Sequence, residues 1–239
     1  MLQQTQAPRV APRFCEFVDR WPTPTAFAGE PLGEVLRAWQ GLGYPRRARY
    51  LHLAAQQIVD DHAGAVPATV DELLTLPGVG AYTARAVLAF AFEQDIGVVD
   101  TNVARVLARV DGRRLTPRAA QRLADTSVPA GRSWWWNQSL MELGAVVCRP
   151  APRCDACPIA RSCLWARGDR RSPDPAVGSA GVSKAQRRFE GSRRQQRGVV
   201  MRSVADGPRP VSDFDRSIVE ELCVDGLIEF DGQSVRLPI

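Results

Sequence analysis

Four of the six cysteines lie between residues 148 and 163, spaced Cys148-x5-Cys154-x2-Cys157-x5-Cys163, and no other feature constrains the fold as tightly. Thiols this crowded either pair as disulfides or share a metal. The amino-terminal stretch MLQQTQAPRV lacks the basic-then-apolar form of an export signal, and no apolar run approaches the ~20 residues of a bilayer span. With no sign of an oxidising compartment, the metal reading prevails. Structural zinc sites usually join two knuckles across a longer gap, whereas here one loop supplies every sulfur. An iron–sulfur cube, which takes one thiolate at each corner, suits such a loop better, with zinc as the alternative. Cys15 and Cys223 fall on apolar faces of expected helices and are expected in cores.

The segments around that loop have helical rather than strand periodicity. Apolar residues recur at helical spacing at Val10, Phe14, Phe17, Val18 and Trp21, at Leu32, Val35, Leu36 and Trp39, and at Leu51, Ala54, Ala55 and Ile58. Thr69-Val70-Asp71-Glu72 reads as a capping box opening a short helix that ends at Leu76-Pro77-Gly78-Val79-Gly80. Further helices are expected over 81–92, 102–109 and 134–147. With 239 residues, 45% of them hydrophobic, the chain can bury a sizeable core. The fold class is therefore all-α through about residue 166. Residues 167–196 turn polar, rich in Gly, Ser, Pro and Arg, and read as a linker. Beyond it, a helix from Ser212 and a hairpin turning at Asp231-Gly232 predict a small α+β, winged-helix-like tail over 197–239.

Lys plus Arg number 31 against 26 acids, a formal net charge of +5 that admits an anionic partner. The hairpin supplies a place for one. Glycines at 78 and 80 let consecutive amides point outward where the next helix begins, an anion site that reads no base sequence. Gly78, Val79 and Gly80 are thus candidate contacts to a nucleic-acid backbone. Arg149, Arg153 and Arg161 punctuate the cysteine loop and suit phosphate, although an ordinary solvated surface explains them equally well. Asp100 precedes an expected helix, where aspartate is most often just a cap. A hairpin upstream and a cysteine loop downstream mark it instead as a candidate catalytic carboxylate. The one lysine, Lys184, leaves the first 183 residues without an ε-amine for Schiff-base chemistry.

Together these residues resemble the helix–hairpin–helix DNA glycosylase superfamily that carries a 4Fe–4S cluster, and within it the A/G-specific adenine glycosylase (MutY) family. The resemblance runs from Met1 to about Ala166. It rests on Met1-Leu2-Gln3-Gln4-Thr5-Gln6, Gly41-Leu42-Gly43-Tyr44, Arg47-Ala48-Arg49, the 76–80 hairpin, Asp100-Thr101-Asn102-Val103, Asn137-Gln138, Met141-Glu142-Leu143-Gly144-Ala145 and the cysteine loop. It implies a helical barrel with the hairpin over 1–95 and a cluster domain over 96–166, with Cys148, Cys154, Cys157 and Cys163 as ligands. The implied activity is removal of adenine mispaired with 8-oxoguanine or guanine, by base flipping and N-glycosidic bond hydrolysis. Asp100 matches the carboxylate that stabilises an oxocarbenium-like sugar, and Asn102 the residue that orients the site. Tyr82 matches the position where lyase-competent relatives carry lysine, which implies a monofunctional enzyme. Gln4 and Tyr44 match residues that wedge into the duplex, and Gln3, Arg47 and Arg49 join them as expected DNA contacts.

The implied partner is double-stranded DNA with an adenine mispair, bound by a monomer without membrane contact, in the cytoplasm or at a bacterial nucleoid. Two other readings stay open at this point: a thymine or uracil mismatch glycosylase of the same superfamily, and a DNA-binding iron–sulfur protein without catalysis. The chain also departs from the family. A catalytic glutamate there lies two residues before the Met-Leu-Gln-Gln-Thr-Gln segment, and this chain begins at that methionine. The polypeptide as written is expected to release little or no base, with a start placed too late as the favoured explanation. Five residues rather than six separate the first two cysteines, and Pro45 replaces a second tyrosine. The family's larger carboxy-terminal domain, which helps recognise 8-oxoguanine, has no room in the tail of about 45 residues, a size at which cores are marginal.

Overall fold

Capping chemistry in the sequence sets many of the helix starts. Thr23, Thr116, Ser192 and Asp215 each accept a first-turn N–H, and Pro24 and Pro117 occupy first helical positions. The structure is a computed structural model and describes residues 1–3, 5–179 and 188–239. In chain order the helices are α1 (Ala7–Arg20), α2 (Pro24–Ala28), α3 (Leu32–Ala38), α4 (Arg46–His62), α5 (Val70–Thr75), α6 (Ala81–Phe90), α7 (Thr101–Asp111), α8 (Pro117–Ser127), α9 (Ser133–Val146), α10 (Leu164–Arg167), α11 (Arg193–Ser203) and α12 (Arg216–Val224). Strands β1 (Arg209–Pro210), β2 (Glu229–Phe230) and β3 (Ser234–Arg236) form one antiparallel sheet in the order β1-β3-β2. The all-α class with a small α+β tail holds.

These elements form two units. The first joins Met1–Pro67, Thr75–Gly78 and the described part of Gln186–Ile239. Trp21, Phe27, Leu36 and Trp39 from the amino-terminal helices share one continuous core with Val200, Met201, Ile218, Leu222 and Leu237 from the tail. The tail keeps its winged-helix-like order of helix, strand, helix and hairpin, but its apolar face is buried against α1 to α3. Polar ties follow the same seam: Arg37 Nε donates to Ala205 O at 2.7 Å and Gln40 Nε2 to Met201 O at 3.0 Å. Helix α12 starts at Arg216, not Ser212, because Asp215 caps it and 211–213 form a 3₁₀ turn.

The second unit comprises Ala68–Leu74 and Val79–Ala185. Its core gathers Val103, Val106 and Leu107 of α7, Ala120 and Ala124 of α8 and Leu140 of α9. Two expectations need correction. Cys15 is exposed, as are Phe14 (55%) and Val18 (42%), because the apolar residues of α1 encircle more of the helix than its neighbours cover. Residues 168–179, expected as part of a linker, dock on the second unit. Ala176 and Ser179 are buried there, and Ser179 Oγ accepts the Leu115 N–H at 3.1 Å. Polar composition reports the lack of regular elements, not the lack of docking. Residues 180–187 of the expected linker lie outside the described residues.

Candidate functional site

Asp100 is the N-cap of α7, and each of its carboxylate oxygens has a hydrogen-bond partner. Its Oδ1 accepts the Val103 N–H at 2.7 Å from an extended backbone, and its Oδ2 accepts from Asn102 Nδ2 at 3.2 Å. The strand-like entry to this cap is fixed by Asn137, 1% exposed on α9. Asn137 Oδ1 accepts the Val98 N–H at 2.8 Å, while Nδ2 donates to Ile96 O at 3.0 Å and Ser133 O at 2.9 Å. Gly144, also on α9, allows a close approach to α7. A Cβ there would sit 2.6 Å from Asn102 Cβ and 2.9 Å from its carbonyl carbon. Asn137 and the Gly144 motif carried no role in the sequence reading; their role is to place Asp100 and Asn102. Tyr82, at the start of α6, is 42% exposed, and partial desolvation followed by the Asp100 charge pushes its phenol upward.

Sequence reasoning passed over Arg105 and Arg109, which stand one turn apart on α7 at 6% and 2% exposure. Arg105 donates to Asn102 Oδ1 (2.8 Å), Gly144 O (2.6 Å) and Cys148 O (2.6 Å). A hydrogen-bonded path therefore runs from Asp100 through Asn102 and Arg105 to the first cysteine of the loop. Arg109 donates to Arg149 O (2.6 Å), Pro150 O (3.0 Å) and Asp174 Oδ2 (2.6 Å), and its Nη1 lies 3.4 Å from Cys148 Sγ. Burial alone would lower the Arg109 guanidinium and raise the Asp174 carboxyl. Their pairing reverses both, holding Asp174 below the usual carboxylate range. Burial pushes the Cys148 thiol up, against the pull of Arg109. The signal that could have revealed this pair was two arginines four apart within an otherwise apolar helix.

Cys148, Cys154, Cys157 and Cys163 line one cavity, walled by Val106, Val110, Leu143 and Ile159. All four are free thiols. A four-sulfur donor set is the chemistry of zinc or iron–sulfur sites. Among the described residues, no three His, Cys, Asp or Glu side chains converge where a single ion would be held.

The hairpin glycines differ in role. Gly78 has φ +75°, and a Cβ on it would meet Tyr50 Cβ at 2.6 Å, so no larger residue fits. Gly80 is the N-cap of α6 without a side-chain bond. With Ala81 and Tyr82 it is exposed, which places the first amides of a ten-residue helix at the surface. Val79 is half-buried. Arg47, expected at DNA, is a structural tie: its guanidinium donates to Met1 O, Gln3 O, Thr5 Oγ1, Leu42 O and Gly43 O, joining the first residues to the Gly41–Tyr44 loop. Arg49 lies against Gly226 of the tail, Gln3 is exposed, and Tyr44 is half-buried. Gln4 lies outside the described residues. The first unit thus holds Gln3, Tyr44, Arg47, Arg49 and Gly78; the second holds Val79, Gly80, Tyr82, Asp100, Asn102 and the four cysteines.

Residues 1–129 match the family described as HhH-GPD superfamily base excision DNA repair protein. The chain is 41% identical to a protein of Mycolicibacterium smegmatis named adenine DNA glycosylase, across 96% of this chain and 81% of that protein. Its fold is similar to that of a thermostable thymine-DNA glycosylase, with TM-score 0.66 and 30% identity over 70% of this chain and 80% of that one. It is also similar to endonuclease III in a trapped covalent intermediate with DNA, with TM-score 0.62 and 26% identity over 70% and 81%.

Proposed function

The chain belongs to the HhH-GPD superfamily of base excision DNA repair proteins and is a DNA-repair glycosylase; from that premise we propose that it removes adenine mispaired with 8-oxoguanine or guanine, by base flipping and hydrolysis without strand cleavage. The arrangement at Asp100 carries this reading. Adenine is a poor leaving group and must be protonated as its bond breaks, which leaves an oxocarbenium-like sugar. One Asp100 oxygen is anchored by the helix and the other by Asn102, so the carboxylate need not reorganise as positive charge develops beside it. Tyr82 stands near Asp100 where an amine would otherwise form a Schiff base, and the one lysine of the chain is Lys184. Identity favours adenine over thymine as the base: 41% over nearly the whole chain against 30% over 70%.

The duplex is gripped at the Gly78–Gly80 hairpin and the amides of α6, while Gln4 and Tyr44 enter the stack. Cys148, Cys154, Cys157 and Cys163 hold a 4Fe–4S cluster. One loop supplies all four sulfurs around a single cavity, which suits one thiolate at each corner of a cube better than the two separated knuckles usual for structural zinc. When bound, the cluster supplies a fixed anchor for the loop that carries Arg149, Arg153 and Arg161.

The test is base release from duplexes with adenine opposite 8-oxoguanine or guanine, and with thymine or uracil opposite guanine, using the protein expressed from its full natural gene. Adenine is the expected product, nicking lags far behind release, and Asp100→Asn slows release by about 100-fold or more. Preferential release of thymine or uracil, undiminished turnover of Asp100→Asn, or duplex binding with no base released would each overturn the proposal.

A further inference from the structure

We propose that Arg194, on the tail helix α11, is a positioning residue that holds the Tyr44 ring in the pose with which it enters the duplex; this rests on the reading of Tyr44 as a wedge. Tyr44 has φ +50°, a left-handed conformation that bulky residues seldom adopt, and it sits between Gly43 at φ +71° and Pro45. Such a backbone persists only where the surroundings over-determine it. Arg194 is part of those surroundings. Its Nη1 donates to Tyr44 Oη at 2.9 Å, and its guanidinium carbon lies 5.8 Å from the centre of the Tyr44 ring. Arg47 approaches the same ring at 5.5 Å. Tyr44 therefore meets a cation from α4 and another from the tail.

Arg194 is itself well held. Its guanidinium lies 5.0 Å from the Phe189 ring centre, and α11 is anchored in the core by Val200 and Met201. Its neighbours on α11 turn to α12: Arg193 donates to Ser217 Oγ at 3.1 Å and pairs with Glu221 at 2.5 Å, and Arg197 also pairs with Glu221, at 3.3 Å. Arg194 reaches the other way, onto the Gly41–Pro45 loop. A hydrogen bond at the hydroxyl and a cation beside the ring restrict the rotation of Tyr44 before DNA arrives. Less ordering is then left to be done on binding, and the gain falls on the mispaired duplex into which the ring inserts. The tail thereby acquires a part in lesion discrimination.

The experiment measures affinity for a duplex carrying a cleavage-resistant 2′-fluoro-adenosine opposite 8-oxoguanine, relative to the fully matched duplex. The proteins compared are unsubstituted, Arg194→Ala, Arg194→Lys, Tyr44→Ala and the double substitution. Arg194→Ala is expected to lower the mispaired-to-matched ratio about fivefold with matched affinity and urea midpoint unchanged, and Arg194→Lys to recover part of it. In the Tyr44→Ala background, Arg194→Ala should have no further effect. An unchanged ratio in Arg194→Ala beside a lowered one in Tyr44→Ala overturns the inference and spares the wedge reading. An unchanged ratio in Tyr44→Ala overturns both. Fully additive effects, or an equal loss on matched and mispaired duplexes, make Arg194 a direct DNA contact and overturn the inference.

Discussion

Asn137→Ala isolates the device that aims Asp100. The side chain is 1% exposed and the Val98 residue it serves is fully buried. Truncation leaves the Val98 N–H without its acceptor, and a buried orphan donor costs about 1–3 kcal/mol. Ile96 O is partly spared, because Ser133 Oγ still donates to it at 3.3 Å. The void left by the amide adds about 1 kcal/mol. The expected loss is thus about 2–4 kcal/mol, read as a lower urea midpoint at unchanged slope. Base release should fall further than stability alone explains, since the 96–98 segment no longer fixes the approach to the cap. Asn137→Asp separates the two ends of the amide. It keeps an acceptor for Val98 but turns a second oxygen toward Ile96 O and Ser133 O. The introduced carboxyl has its folded pKa raised by burial and by those carbonyls, so this variant is most stable at acidic pH and weakens as pH rises through that value. A loss under about 0.5 kcal/mol in Asn137→Ala, with base release intact, would refute the reasoning.

Gly144→Ala forces a methyl group into the Asn102 backbone, and overpacking of this kind costs about 1–3 kcal/mol; urea unfolding should show it, together with slower base release at retained duplex affinity. The depressed pKa of Asp174 means its stabilising pairing with Arg109 is fully present above the unfolded carboxyl value and is lost as pH falls through the lower folded value. Unfolding midpoints should therefore drop below about pH 4, and Asp174→Asn should flatten that part of the profile. Purified protein should be brown with about four irons per chain, and Cys157→Ser should lose iron and visible absorbance; colourless, iron-free unsubstituted protein would remove the cluster from the account.

How far the sequence could be read depends on how local each signal is. Apolar patterning was enough for α1, α3, α4, α6, α7 and α9, although Val10 is the one fully buried residue of α1. Helix α8 escaped notice: its buried face is Ala120 and Ala124, too small to register, although Thr116-Pro117 marks its start. Helix α2 has five residues and no room for a period. The capping box at Thr69 was legible and differs only in detail. The Thr69 hydroxyl accepts the Glu72 N–H at 3.3 Å and also donates to the Glu72 carboxylate at 2.6 Å. That the tail would close the core of the amino-terminal helices had no local signature, since Trp39 and Leu237 meet only through packing across the length of the chain.

The buried arginines show why residue type alone misled at the site. Counted along the sequence, Arg105 and Arg109 add to a positive surface; in the fold they are main-chain donors. The segment from Cys148 to Cys163 contains only two 3₁₀ turns, so its carbonyls have no helix or ladder to satisfy them. Cys148 O takes Arg105, and Arg149 O and Pro150 O take Arg109. A planar guanidinium can serve diverging carbonyls together, which a lysine ammonium on a flexible stem cannot do in fixed register. Asp174 then balances the Arg109 charge, drawing residues 168–179 onto the loop. Such a buried pair adds little net stability against the cost of desolvating both ions. Its value is register: the start of the cysteine loop is shaped by α7, and the same helix carries Asp100 at its cap.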